Sequence, residues 1–131
     1  EHAMVVHSDG LDEIRLDAPT HVVELKNGAI TEYDISPGDL GLEPRTNADL
    51  AGIVADSAAS SLALVRQSLT DDSSAAADIV ALNAGAAIYV SGVANSLSNG
   101  VAMAQDAISS GQAKERLAEL VRITSLMSES S

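Results

Sequence analysis

The 131-residue chain contains no cysteine, tryptophan or phenylalanine, and only two tyrosines, Tyr33 and Tyr89. The lack of cysteine rules out disulfides, thiolate metal sites and thiol nucleophiles, a composition that fits a cytoplasmic protein. With so little aromatic area, the core has to be built from alanine, valine, leucine and isoleucine, and must rely on close approach of helices. Basic residues are scarce too: 7 stand against 19 acidic ones, a formal charge of −12. A surface of that sign argues against nucleic acid or anionic membrane as a partner. No apolar run approaches the length of a membrane span, and the opening residues do not read as a secretory signal. Several catalytic signatures are also missing: G-x-S-x-G, H-E-x-x-H, the Walker loop and the dinucleotide fingerprint. No motif assembles the many serines into a Ser/His/acid set.

What is present centres on His7-Ser8-Asp9-Gly10-Leu11-Asp12-Glu13-Ile14. The preceding run Ala3-Met4-Val5-Val6 reads as a strand buried on both faces, with parallel neighbours. Immediately beyond it, a glycine and three carboxylates crowd into positions 9–13. Ligands of open α/β sheets bind beyond the carboxyl ends of the strands, and carboxylates crowded there repel one another unless a cation holds them. Oxygen ligands without histidine or cysteine favour a hard ion such as Mg²⁺. On composition alone, a solvated acidic loop is the commoner outcome. The spacing is wrong for a calcium loop of the EF-hand type. His7 beside Asp9 has the form of a base and its orienter, although a strand-end histidine is more often a structural hydrogen-bonder.

Further along, Asn27-Gly28 separates two β-prone runs, Thr20–Lys26 and Ala29–Ile35, and marks a two-residue hairpin turn. The turn pairs Leu25 with Ile30, Val22 with Tyr33 and His21 with Asp34, the last as an exposed ion pair. Ser36-Pro37-Gly38-Asp39-Leu40-Gly41 reads as one helical turn with Ser36 as cap, and 42–55 as mostly loop. Helical spacing begins at Asp56, a plausible cap, with Ala58, Leu62, Val65 and Leu69 on one face. After the break Asp71-Asp72-Ser73-Ser74, a helix over Ala75–Val90 is apolar nearly all round and should be the most buried element. Its small residues Ala84 to Ala87 admit close neighbours, and Asn83 within it needs an internal hydrogen-bond partner. Ser96 caps another helix with Val101, Ala104 and Ile108 inward, stopped by Gly111. A last helix from Gln112 places Ala113, Leu117, Leu120, Thr124 and Met127 on one side. Arg116 and Arg122 form a solvated face there, and Ser128–Ser131 should fray.

Two runs carry a resemblance. Val5–Ile14 and the later Asp78-Ile79-Val80-Ala81-Leu82-Asn83-Ala84-Gly85-Ala86-Ala87-Ile88-Tyr89-Val90-Ser91-Gly92 resemble anthranilate phosphoribosyltransferases, in the same order and at about the family's spacing. The first run is similar to that family's metal-binding loop. The resemblance implies an α/β fold: part of a mixed sheet with a β-hairpin, followed by a helical C-terminal half. Residues 1–131 would be the C-terminal part of a single α/β domain, 1–42 forming strand, loop and hairpin and 56–127 the helices. It implies transfer of the phosphoribosyl group from phosphoribosyl pyrophosphate to anthranilate, in tryptophan biosynthesis. Asp12 and Glu13 would hold a Mg²⁺ bridging to the pyrophosphate, and no catalytic residue falls in this chain. The glycine-rich phosphate loop, the anthranilate pocket and the helical dimerisation domain would lie upstream.

The opening Glu1-His2-Ala3-Met4 has no initiator at position 1 and runs at once into a strand that needs neighbours. The expectation is therefore the last third or so of a longer enzyme, homodimeric when intact and inactive as this piece alone. An unpaired first strand would also favour self-association. Two other readings stay open: an enzyme like the pyrimidine nucleoside phosphorylases, and a non-catalytic module that binds a metal or a protein.

Overall fold

A computed structural model describes residues 1–129 of the chain. Three strands, β1 (His2–His7), β2 (Thr20–Lys26) and β3 (Ala29–Ile35), precede a 3₁₀ turn at Pro37–Leu40. Five helices follow: α1 (Asn47–Ala51), α2 (Ala58–Ser68), α3 (Ala75–Val90), α4 (Leu97–Ser109) and α5 (Gln112–Glu129). The α/β class stands, with the hairpin ahead of a helical half.

The first strand differs from expectation. It lies at the edge of the sheet and pairs antiparallel with β2 alone, in the order β1-β2-β3, and no parallel pair occurs among the described residues. Its burial alternates, so that His2, Met4 and Val6 turn inward while Val5 is 68% exposed. An unbroken apolar run shows that both faces tolerate burial; it does not say that both are covered.

The hairpin has the expected register, with Leu25 opposite Ile30, Val22 opposite Tyr33 and His21 opposite Asp34. Asn27 and Gly28 both take positive φ, 54° and 82°, as a type I′ turn requires. The 3₁₀ turn is capped as expected: the Ser36 N–H donates to Asp39 Oδ2 at 2.8 Å, and Gly41 closes it in the left-handed region.

The sheet lays its inner face on Ile14, Leu16, Leu40, Leu42, Leu82 and Val101, and a second apolar cluster joins Ala81, Ala104 and Ile108. Helix α3 is the spine of both, burying Ala76, Ala77, Asp78, Ala81, Leu82, Gly85 and Tyr89. Without large side chains to fill a gap, α3 and α4 touch backbone to backbone. A Cβ on Gly85 would lie 2.6 Å from Val101 Cα, and one on Gly100 would overlap the Gly85 carbonyl oxygen. Val101, Ala104 and Ile108 face inward on α4 as expected.

Other expectations shift. The segment 42–55 contains α1, capped by Thr46 and Asp49, whose backbone N–H groups each donate to the other's side chain (2.9 and 3.3 Å). The cap of α2 is Ser57 rather than Asp56, with Ser60 N–H donating to Ser57 Oγ at 3.1 Å. Asp56 instead accepts from the Ser60 hydroxyl at 2.9 Å. The apolar stripes of α2 and α5 stay largely open: Leu62 is 47% exposed, Leu120 59% and Met127 66%. Only their ends, Leu69 and Ala113, pack on the second cluster. Helix α5 runs to Glu129, so Ser128 and Glu129 are helical where a frayed end was expected, and the rest of that expectation, at Ser130 and Ser131, lies outside the described residues. No helix among the described residues is long and apolar enough to cross a membrane.

Because the α3–α4 contact has no spare volume, Gly100→Ala should lower stability by about 1–3 kcal/mol. Gly38→Ala, whose added methyl meets nothing within 4 Å, should change it by no more than about 0.5 kcal/mol. Thermal denaturation of the two variants side by side measures the difference.

Candidate metal-binding loop

Beyond β1 the chain turns sharply. Ser8 and Leu11 exchange backbone hydrogen bonds (2.9 and 3.0 Å) around Asp9 and Gly10, whose φ values are 45° and 84°. Only residues tolerant of the left-handed region fit there, which explains the Asp-Gly pair. Buried Ser8 also donates its hydroxyl to the Pro19 carbonyl at 2.7 Å, tying the start of the loop to the start of β2.

The other end is fixed by burial and by a side chain. Ile14 and Leu16 are 1% and 0% exposed. The Ile14 N–H donates to Asn83 Oδ1 at 2.9 Å, while Asn83 Nδ2 donates to the Ile14 and Ile79 carbonyls at 3.1 and 3.0 Å. Asn83 is thus the satisfied internal amide that its position in an apolar helix calls for. The Arg15 N–H donates to Thr20 Oγ1 at 3.2 Å. The Arg15 guanidinium makes a two-pronged pair with Asp17, 2.7 Å from Nε and 2.6 Å from the terminal nitrogen. That pair holds the Asp17 carboxyl below its ordinary value and raises Arg15. Asp9 lies 3.5 Å from the same guanidinium.

Between these fixed ends stand Asp12 and Glu13, both exposed. Among the described residues Asp12 meets only His7, Nδ1 to Oδ1 at 3.3 Å, so His7 pairs with Asp12 and not with Asp9. The Glu13 side chain has no hydrogen-bond or ion-pair partner among the described residues. No group of three or more His, Cys, Asp or Glu there could cage a metal, and none of the five principal cavities is lined by Asp12 or Glu13. The donor set fits an ion that takes one or two carboxylates and completes its shell with water and substrate oxygens, as Mg²⁺ does, and not a structural cage. His21 and Asp34 form the expected exposed pair at 2.9 Å.

A second cluster was not foreseen. Glu24, 6% exposed, sits on the inner face of β2 in line with Thr20 and Val22. Its carboxylate accepts from Tyr33 at 2.7 Å, from Tyr89 at 2.8 Å and from His2 Nε2 at 2.6 Å. An ionised carboxylate only accepts, so His2 carries its proton on Nε2. Lys26 donates to the Tyr89 hydroxyl at 2.9 Å and lies 4.5 Å from the centre of that ring, and His2 stacks edge-on against it. Both tyrosines of the chain therefore converge on one buried acid. Burial opposes ionisation of Glu24 most strongly, but the bonds from Tyr33, Tyr89 and His2 outweigh it and the carboxyl lies below its ordinary value. Burial and the Glu24 contact push the Tyr33 hydroxyl well up. The signal was in the hairpin: its register places Glu24 on the same face as Val22. A third pair, Arg45 with Asp78, bridges the segment before α1 to α3, with Nε 2.7 Å from Oδ2.

The chain thus combines an antiparallel hairpin, a helical half and a solvent-facing acidic loop. Residues 1–114 match the glycosyl transferase family, a/b domain, and the chain belongs to that family. It is 50% identical over 131 residues to an anthranilate phosphoribosyltransferase of Teredinibacter turnerae, an overlap of 96% of this chain and 38% of the relative. It is 55% identical over 127 residues to the anthranilate phosphoribosyltransferase of a Marinomonas species, covering 95% of this chain and 36% of the relative. Among solved structures, the anthranilate phosphoribosyltransferase of Thermus thermophilus superposes with a TM-score of 0.80 at 34% identity, over 92% of this chain and 35% of that one. The chain therefore spans little more than a third of the length of these relatives.

The Glu24 cluster sets a pH dependence. Its carboxyl has an ordinary value of 4.5 and a lower one when folded, so its contribution to stability is complete above pH 4.5 and is lost as pH falls through the folded value. Denaturant titrations from pH 3 to 7 should show the wild type losing stability below pH 4.5 more steeply than Glu24→Gln.

Proposed function

We infer that this chain works within a longer polypeptide as part of an anthranilate phosphoribosyltransferase, and that Asp12 and Glu13 hold Mg²⁺ for the phosphoribosyl pyrophosphate substrate. The observation that carries this reading is a solvent-facing acidic pair held between two anchored ends, in a chain half identical to relatives of that name. Apolar side chains open on the outer face of the sheet, Val5 at 68% and Ile30 at 69% exposure, support the longer polypeptide, where further residues would cover them. A cytoplasmic setting belongs to the same reading and rests on the cysteine-free composition.

In this reaction the bond between the ribose carbon and the diphosphate breaks, and the amine of anthranilate takes its place. Magnesium, when bound, would neutralise the charge that gathers on the leaving diphosphate. The part of this chain is to present two carboxylates without its own cations competing for them. Arg15, the basic residue nearest the loop, is committed to Asp17 and Asp9. The diphosphate therefore needs basic partners from elsewhere in the polypeptide, and the 131-residue chain alone should be inactive.

In the longer polypeptide, Asp12→Asn combined with Glu13→Gln should reduce turnover at limiting Mg²⁺ by about a hundredfold or more while leaving the melting temperature unchanged. Steady-state assays with anthranilate and phosphoribosyl pyrophosphate across a Mg²⁺ series measure this. Wild-type turnover in the double variant at limiting Mg²⁺ overturns the assignment.

A further inference from the structure

The peptide unit that follows Glu13 is oriented by a side chain from another element. Asn83, 69 residues further along, takes the Ile14 N–H on Oδ1 and gives Nδ2 to the Ile14 carbonyl. Its second amide proton goes to Ile79, one turn earlier in α3. The amide orientation is therefore unambiguous: the reverse would set NH₂ against N–H and oxygen against two carbonyls. Both amide protons and one lone pair of Oδ1 are therefore engaged in holding the chain.

Burial alone would anchor Ile14, which is 1% exposed. A buried side chain can still rotate its own backbone, whereas two hydrogen bonds to the N–H and C=O of one residue fix both its place and its rotation. The bond leaving residue 13 is then aimed before any cation arrives, and little loop freedom is lost on binding. The helix that supplies the amide is the most enclosed element of the fold, locked against α4 at Gly85 and Gly100.

From this geometry we propose that Asn83 is the positioning residue of the acidic loop, aiming Glu13, and through it Asp12, at a divalent cation. The proposal rests on the reading of Asp12 and Glu13 as metal ligands. In the longer polypeptide, Mn²⁺ with inorganic pyrophosphate serves as the probe, free Mn²⁺ being followed by electron paramagnetic resonance. Asn83→Ala should weaken Mn²⁺ binding about tenfold or more, within the range found when groups that orient metal ligands are removed. Hydrogen exchange at the Ile14 amide should accelerate in the same variant. Asn83→Asp, which keeps the acceptor for the Ile14 N–H, should fall between it and the wild type, and takes its place in the comparison if the alanine chain does not fold. A purely structural role would lower the melting temperature and leave Mn²⁺ affinity unmoved well below it; that result overturns the proposal. Asp12→Asn with Glu13→Gln separates the two claims. If that double variant weakens Mn²⁺ binding and the Asn83 variants do not, the ligands stand and the positioning role falls. If the double variant binds Mn²⁺ as the wild type does, the ligand reading falls and the proposal with it.

Discussion

The contact of α3 with α4 at Gly85 and Gly100 is the constraint on which the rest of the molecule hangs. A core without phenylalanine or tryptophan gains little area per residue, so it has to gain contacts by shortening the distance between backbones. Gly85 and Gly100 allow that, and the approach leaves no room for a methyl group on either. Helix α3 is thereby held rigidly in the middle of the fold, and it uses that position to hold three other segments by polar side chains. Asp78 takes Arg45, Asn83 takes Ile14, and Tyr89 takes Glu24 and Lys26. Asp78, Asn83 and Tyr89 stand near the start, the middle and the end of the helix, so it grips the other segments along its whole length.

How far the fold was legible follows from the range of each signal. The hairpin register, the caps at Ser36 and Ser96, and the extent of α3 rest on neighbours within a few residues, and they stand as read. Thr46-Asn47-Ala48-Asp49 carried a local capping pattern as well, but its helix is only five residues long and has no apolar repeat to announce it. The cap of α2 was missed by one residue, at Asp56 in place of Ser57, and the other readings that failed concern what lies across from an element. Apolar positions on α2, α5 and β1 show which face avoids water, and nothing in their spacing says whether this chain supplies the cover. Leu62, Leu120 and Val5 are accordingly far more open than their patterns implied.

The candidate site divides along the same line. Asp12 and Glu13 stood out because acids crowd there in sequence, and their openness to solvent is a local matter. The partner of Asn83 could be required on physical grounds but not named, because the bond closes a loop of 69 residues. Glu24 is the clearest omission. Its inward placement followed from the hairpin register, yet the acid reads as a surface residue until Tyr33, Tyr89 and His2 are seen to converge on it from three elements.

Charge distribution explains why the acidic loop is left open to the cation proposed for it. The basic residues of the sheet half are few, and each is already committed: Arg15 to Asp17, Lys26 to Tyr89, Arg45 to Asp78. The remaining four, Arg66, Lys114, Arg116 and Arg122, sit on α2 and α5. Asp12 and Glu13 therefore face solvent with a half-exposed histidine beside one of them and, among the described residues, no hydrogen-bond or ion-pair partner for the other. Had a lysine or arginine lain within reach, the pair would have closed into an ordinary surface ion bridge. Adjacent carboxylates with no lysine or arginine paired to them among the described residues, on a loop whose two ends are anchored, repel one another at no gain to the fold. Their placement makes physical sense where a cation and the phosphate oxygens it carries come from outside the chain.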